Sequence, residues 1–136
     1  MKRFAKVYVE ISNICNLKCS FCPGTTRQPK RMSVDEFKTV LEKIRDYTDY
    51  IYFHLLGEPL CHPELEAFLQ IADEMKFKVI ITTNGTLIEK CRDILLKSDS
   101  HYKTVISLHS FEANDNKISF CKYLDDCFSY AKTAEN

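Results

Sequence analysis

Four runs rich in β-branched and aromatic residues alternate with four helical patterns along this chain. That order constrains the fold more than any other feature. The runs are "AKVYVEIS" (5–12), "YIYFHLL" (50–56), "KVIITT" (78–83) and "KTVISLHS" (103–110). Valine, isoleucine, tyrosine and threonine dominate them, the residues that suit a pleated surface. "IYFHLL" is apolar nearly throughout and reads as a strand buried on both faces. Between the first two runs, "SVDEFKTVLEKIRDY" (33–47) opens on Ser33 with Glu36 three residues later, the reciprocal pair of a capping box. Its Phe37, Val40, Leu41 and Ile44 recur at three and four, giving one buried stripe. "PELEAFLQIADEMK" (63–76) places Pro63 where a first helical residue belongs and carries Leu65, Phe68, Leu69 and Ala72 on one face. "LIEKCRDILLK" (87–97) and "NDNKISFCKYLDDCFSYAKTA" (114–134) follow the same logic. In the last of these, Ile118, Cys121, Leu124, Phe128 and Ala131 share a face.

A βαβαβαβα order implies a parallel sheet with right-handed crossovers and helices packed outside it. Ligands of such sheets bind at the carboxyl ends of the strands, in the loops that lead to the helices. The chemically odd residues all fall there. A cysteine loop follows the first run, "GEP" the second and "TNG" the third, while "LHS" ends the fourth.

Charge and composition remove several classes of function. Nineteen acidic residues balance nineteen basic ones, so no net field draws the chain to nucleic acid or a membrane surface. "RQPKR" at 27–31 is too short a basic run to change that and reads as a solvated loop. No segment approaches the roughly 20 apolar residues that span a bilayer. The first ten residues alternate like a strand and lack the apolar core of a signal peptide. A cytoplasmic protein with reduced thiols is therefore expected, with neither nucleic acid nor membrane as partner. Seven cysteines, an odd number, also argue against a complete disulfide framework.

Three of those cysteines, Cys15, Cys19 and Cys22, stand in "CNLKCSFC" at C-x3-C-x2-C spacing. A structural zinc site takes four ligands, and here Cys61 or His62 is the available fourth. A redox pair of Cys19 and Cys22 leaves Cys15 without a role. Packing does not explain three thiols in one hydrophilic loop. An iron–sulfur cluster normally takes four thiolates, so three would leave one iron open to an outside ligand. An open position marks a site that binds a small molecule. The alternative is a non-catalytic iron–sulfur or zinc-binding, electron-transfer module closed by Cys61 or His62.

"CNLKCSFC", with the aromatic Phe21 directly before its third cysteine, resembles the cluster loop of the radical S-adenosylmethionine (SAM) superfamily. Together with "GEP" and "TTNG" it resembles the branch that contains peptide-modifying and anaerobic sulfatase-maturing enzymes. The resemblance runs from the first strand to the fourth. It implies an α/β fold, a TIM-like partial (β/α) barrel of which residues 1–136 supply four of six β/α units as one domain, the N-terminal part of a longer enzyme. It implies that Cys15, Cys19 and Cys22 hold a [4Fe–4S] cluster whose open iron chelates SAM. Reductive cleavage would then give a 5′-deoxyadenosyl radical that abstracts hydrogen from a substrate, in this branch a peptide or protein side chain. Gly57, Glu58 and Pro59 would form the turn that meets the methionine amino group, with Gly57 permitting close approach. Asn84 would line the pocket, Phe21 would offer its backbone to the adenine, and Ser107 and His109 would contact ribose and carboxylate. Strand alternation would put those last two side by side on an inward face. His54 is structural or pocket-lining, and Cys91 and Cys121 are core. The family also implies oxygen sensitivity and an electron donor such as a flavodoxin or ferredoxin. With four units, the fourth strand is an open edge, to be covered by the last helix or by a homo-oligomer.

Overall fold

The computed structural model describes residues 3–112 and 119–135. Strands β1 (Val7–Tyr8), β2 (Tyr50–Phe53), β3 (Lys78–Thr83) and β4 (His101–Ile106) form one sheet in the order β1-β2-β3-β4. All three pairings are parallel. Helix α1 (Val34–Ile44) follows β1, α2 (Leu65–Glu74) follows β2, α3 (Ile88–Lys97) follows β3 and α4 (Phe120–Ala134) follows β4. Strands adjacent in the chain are adjacent in the sheet, so a constant crossover hand stacks the helices on one face, as in a (β/α) barrel.

The core lies between that face and the helices. Ile51 and Phe53 of β2 are wholly buried there, with Phe37 of α1 and Phe68 of α2 stacked above at 4.4 Å between ring centroids. Phe37 also meets Phe53 edge-on at 5.7 Å. The other face of β2 carries Tyr50 and Tyr52, which are half-buried, so this strand is covered on one side rather than both. On that open face Lys6 lies over the rings of Tyr8 and Tyr52, and Lys78 over those of Tyr50 and Tyr102. Strand β4 is the sheet edge and exposes Tyr102 and Val105.

Side-chain caps open α1 and α4, at Ser33 and Ser119, but not α2 or α3. Ser33 accepts from Glu36 N and the Glu36 carboxylate accepts from Ser33 N, completing the capping box. Pro63 does not open its helix. A 3-10 turn at Pro59–Cys61 takes up the preceding segment, and His62 Nδ1 accepts from Glu64 N, so α2 starts at Leu65. The last helix turns its other side inward. Tyr123, Cys127 and Tyr130 are buried, Leu124 is half-buried, and Cys121, Phe128 and Ala131 are exposed. Ile118 lies outside the described residues. The tyrosines can go inside because each hydroxyl finds a partner. Tyr123 donates to Asn84 O at 2.7 Å, and Tyr130 shares a hydrogen bond with Thr104 at 2.9 Å. Cys121 is therefore not a core residue, whereas Cys91 is. Among the described residues no helix is long and apolar enough to cross a membrane.

Candidate cofactor site at the carboxyl rim of the sheet

The chain leaving β1 stays buried at Val9 and Ile11 and then opens into the cysteine loop. The loop is pinched shut at its base. Ser12 pairs with Arg31 in an antiparallel bridge, Asn13 N donates to Lys30 O at 3.2 Å and Met32 N donates to Ile11 O at 2.8 Å. Inside it, Cys22 N donates to Cys19 O at 3.0 Å, a turn that brings two thiols to one side. Gly24 follows in the left-handed region, at φ +66°.

All seven cysteines are free thiols. Cys15, Cys19 and Cys22 line one cavity of about 350 Å³ together with Leu17, Gly24 and Leu56. Backbone amides already point at two of the sulfurs: Leu17 N donates to Cys15 Sγ at 3.5 Å and Gly24 N to Cys22 Sγ at 3.4 Å. Such donors stabilise the thiolate that a metal requires. Burial nonetheless pushes the Cys15 thiol up, with the Leu17 amide pulling the other way. Among the described residues no three His, Cys, Asp or Glu side chains converge tightly enough to hold one metal ion. Three thiols lining one cavity could each bind one iron of a multi-iron cluster. The residues present fit a [4Fe–4S] group.

The turn after β2 is locked onto this loop. Leu55 has φ +95°, a strained conformation for a residue with a side chain. Gly57 then passes so close to Ser12 that a Cβ would stand 1.9 Å from the Ser12 carbonyl oxygen, and Glu58 N donates to Ile14 O at 3.0 Å. The close approach that the sequence led us to expect at Gly57 is thus to the chain itself. Pro59, buried, opens the 3-10 turn.

Glu58 is 2% exposed and its carboxylate accepts from Thr83 Oγ1 at 2.5 Å, Asn84 N at 2.8 Å and Leu60 N at 3.2 Å. Burial pushes the Glu58 carboxyl up, and those donors draw it back. The side chain ties the second rim turn to the third. Asn84 is equally committed: Nδ2 donates to Asn16 Oδ1 at 2.9 Å and faces Cys15 Sγ at 3.9 Å, while Oδ1 accepts from Thr86 N and Thr86 Oγ1. His62 uses both ring nitrogens, Nε2 on Met32 O at 2.9 Å and Nδ1 accepting from Glu64 N at 3.0 Å, which leaves none for a metal. Cys61 is half-buried, and burial raises its thiol.

The end of β4 departs from expectation. Ser107 N still donates to Thr83 O at 2.8 Å, but the chain then coils into a 3-10 turn, Leu108–Ser110, so alternation stops at Ile106. Ser107 is half-buried. His109 is exposed and packs on Phe21 with ring centroids 4.8 Å apart, not inward beside Ser107. That contact draws the cysteine loop toward the fourth rim turn. His54, just past β2, is half-buried and lies 5.5 Å from the Tyr8 ring on the open sheet face. Sequence reading missed Asn16, Thr83 and Thr86. For Thr83 and Thr86 the signal was a polar run, "TTNGT", at the end of an apolar strand; Asn16 had only its place beside Cys15.

Residues 9–127 match the family described as the Radical SAM superfamily. The chain is 29% identical over 116 residues, 80% of its length and 46% of the relative's, to the S-adenosyl-L-methionine-dependent 2-deoxy-scyllo-inosamine dehydrogenase of Niallia circulans. It is 31% identical over 86 residues, 60% of its length and 24% of the relative's, to a tungsten-containing aldehyde ferredoxin oxidoreductase cofactor-modifying protein of Pyrococcus furiosus. It thus spans less than half the length of these curated relatives. BtrN, solved in complex with AdoMet and 2-DOIA, superposes with TM-score 0.70 at 27% identity, over 92% of this chain and 52% of that one. SuiB of Streptococcus suis, solved with its precursor peptide SuiA, gives TM-score 0.71 at 25% identity over 98% of this chain and 31% of that one. With a rim of three thiols, a locked glycine turn and this breadth of agreement, the chain belongs to the radical SAM superfamily.

Proposed function

We propose that this chain forms the cluster- and cofactor-binding part of an enzyme that generates a 5′-deoxyadenosyl radical and uses it on a peptide or protein side chain. The observation that carries the reading is the cavity shared by Cys15, Cys19 and Cys22 on the carboxyl rim of a parallel sheet. When bound, the [4Fe–4S] cluster and SAM supply one-electron cleavage of the sulfonium bond and so the radical. The protein's share is to bind, orient and exclude water. The loop 13–30, pinched at its base, presents the thiols. The turn of Gly57, Glu58 and Pro59 is held against that loop and would offer its backbone to the cofactor's methionine amino group. Phe21 packs on His109 at the rim, and Ser107 is tied to Thr83 beside it. A peptide substrate is supported by SuiB, which was solved with a precursor peptide. A small polyol-like substrate is the rival, supported by the 2-deoxy-scyllo-inosamine dehydrogenase. The setting is cytoplasmic and anaerobic, with a flavodoxin or ferredoxin as electron donor.

Anaerobic reconstitution with iron and sulfide, followed by electron paramagnetic resonance of the reduced protein with and without SAM, tests the reading. A [4Fe–4S] signal that changes when SAM is added is expected, because an open iron accepts it. A signal indifferent to SAM, or zinc taken up in preference to iron, would refute it in favour of the closed module.

A further inference from the structure

The side chain of Asn84 is buried, at 7% exposure, and fully hydrogen-bonded. Its Nδ2 has two hydrogens and two acceptors, Asn16 Oδ1 at 2.9 Å and Cys15 Sγ at 3.9 Å. Its Oδ1 accepts from Thr86 N at 3.0 Å and from Thr86 Oγ1 at 2.7 Å, and Asn16 Nδ2 returns to Thr86 Oγ1 at 2.9 Å. Three side chains thereby close a ring between the turn after β3 and the cysteine loop. The backbone of Asn84 is fixed from both sides, with its N–H on the buried Glu58 carboxylate and its carbonyl accepting from Tyr123 Oη. With every donor and acceptor used, the side chain has one orientation open to it and nothing left over for a further ligand.

We propose that Asn84 is a positioning residue for the first cluster ligand: it fixes Cys15 through Asn16 and donates an N–H to the Cys15 sulfur, raising the reduction potential of the group the thiolates hold. This rests on the cluster reading above. A thiolate bound to iron carries more negative charge than a thiol and is the better acceptor. Hydrogen bonds to ligand sulfurs are among the levers that set an iron–sulfur potential, because they favour the more electron-rich, reduced state. The amides of Leu17 and Gly24 are donors of the same kind but belong to the loop backbone and cannot be substituted away. Asn84 reaches in from a different strand end, so its donor can be removed while the loop sequence stays intact.

Two variants test it. Asn84→Asp keeps the shape and the oxygen that Thr86 uses but turns an oxygen toward the sulfur. Asn84→Ala removes the group altogether. Wild type and both variants are reconstituted anaerobically, their iron and sulfide are counted, and the reduced fraction is followed by electron paramagnetic resonance across poised potentials. Both variants are expected to titrate at lower potential, with the reduced-to-oxidised ratio at the wild-type midpoint falling about tenfold, which corresponds to about 59 mV for a one-electron couple. Asn84→Asp should fall at least as far as Asn84→Ala. Iron lost from both variants while their circular dichroism stays native would support the positioning half of the proposal. Midpoints unchanged in both variants overturn it. A wild type that takes up no cluster overturns the cluster reading and this proposal together, and the wild-type iron count tells the two failures apart.

Discussion

Replacing Gly57 by alanine drives a methyl group into the backbone of the protein itself. An added Cβ stands 1.9 Å from Ser12 O, 2.6 Å from Ser12 C and 3.1 Å from Asn13 Cα, and none of those atoms can swing aside as a side-chain tip would. Relief requires the turn after β2 to move away from the start of the cysteine loop by more than an ångström, which breaks the 3.0 Å bond from Glu58 N to Ile14 O. Overpacking of a tight site costs typically 1–3 kcal/mol, and the lost buried hydrogen bond adds about 1 kcal/mol. Gly57→Ala is therefore expected to cost about 2–4 kcal/mol, a large share of the 5–15 kcal/mol that typically stabilises a domain. In thermal unfolding that corresponds to a drop on the order of 10 °C. The control is Gly24→Ala. It meets nothing within 4 Å but sits at φ +66°, so only the left-handed backbone penalty of about 1–2 kcal/mol applies. Urea unfolding of the two variants beside the wild type measures both. Gly57→Ala within 1 kcal/mol of the wild type, or no worse than Gly24→Ala, would refute the argument that this glycine is required by the chain's approach to itself.

Three more outcomes follow from the buried polar groups. Glu58→Ala leaves Thr83 Oγ1, Asn84 N and Leu60 N without their shared acceptor, and a loss of about 3 kcal/mol in urea unfolding is expected. Tyr123→Phe strips the donor from Asn84 O and should cost about 1–2 kcal/mol, measured the same way. Burial holds His62 and His101 below the ordinary histidine value of 6.5, so the unfolded chain takes up protons first as pH falls. That stability is complete above about pH 6.5 and is lost as pH drops below it. Burial raises the Glu58 carboxyl, which acts in the opposite sense from 4.5 upward. The slope is therefore read as the difference between the wild type and the double variant His62→Gln, His101→Gln, and a wild type no more acid-sensitive than that variant contradicts the assignment.

The sequence by itself determined what is local or periodic. Ser33 and Glu36 lie one helical turn apart, so their capping box needs nothing distant. "KVIITT" became β3 over the same six residues, 78–83, because a β-branched run bounded by helical segments has few other options. The alternation of elements was enough for a parallel sheet, while its sequential strand order followed from the family resemblance, and Cys15, Cys19 and Cys22 do line one cavity.

Tertiary structure alone decided which face and which partner. Helix α4 offers two stripes, and apolar character favours the one with Leu124 and Phe128. The fold buries Tyr123, Cys127 and Tyr130 instead, since the two tyrosine hydroxyls reach Asn84 O and Thr104. Glu58 reads in sequence as part of a cofactor-binding turn, with nothing to mark it as buried. It is buried because Thr83 and Asn84, 25 and 26 positions away, bring donors to it. Alternation carried Ser107 and His109 inward on paper, but the chain coils once β3 no longer offers carbonyls beyond Thr83. Periodicity reports that a residue has a side to bury. Which side, and against what, depends on hydrogen-bond partners that only the folded chain brings within reach.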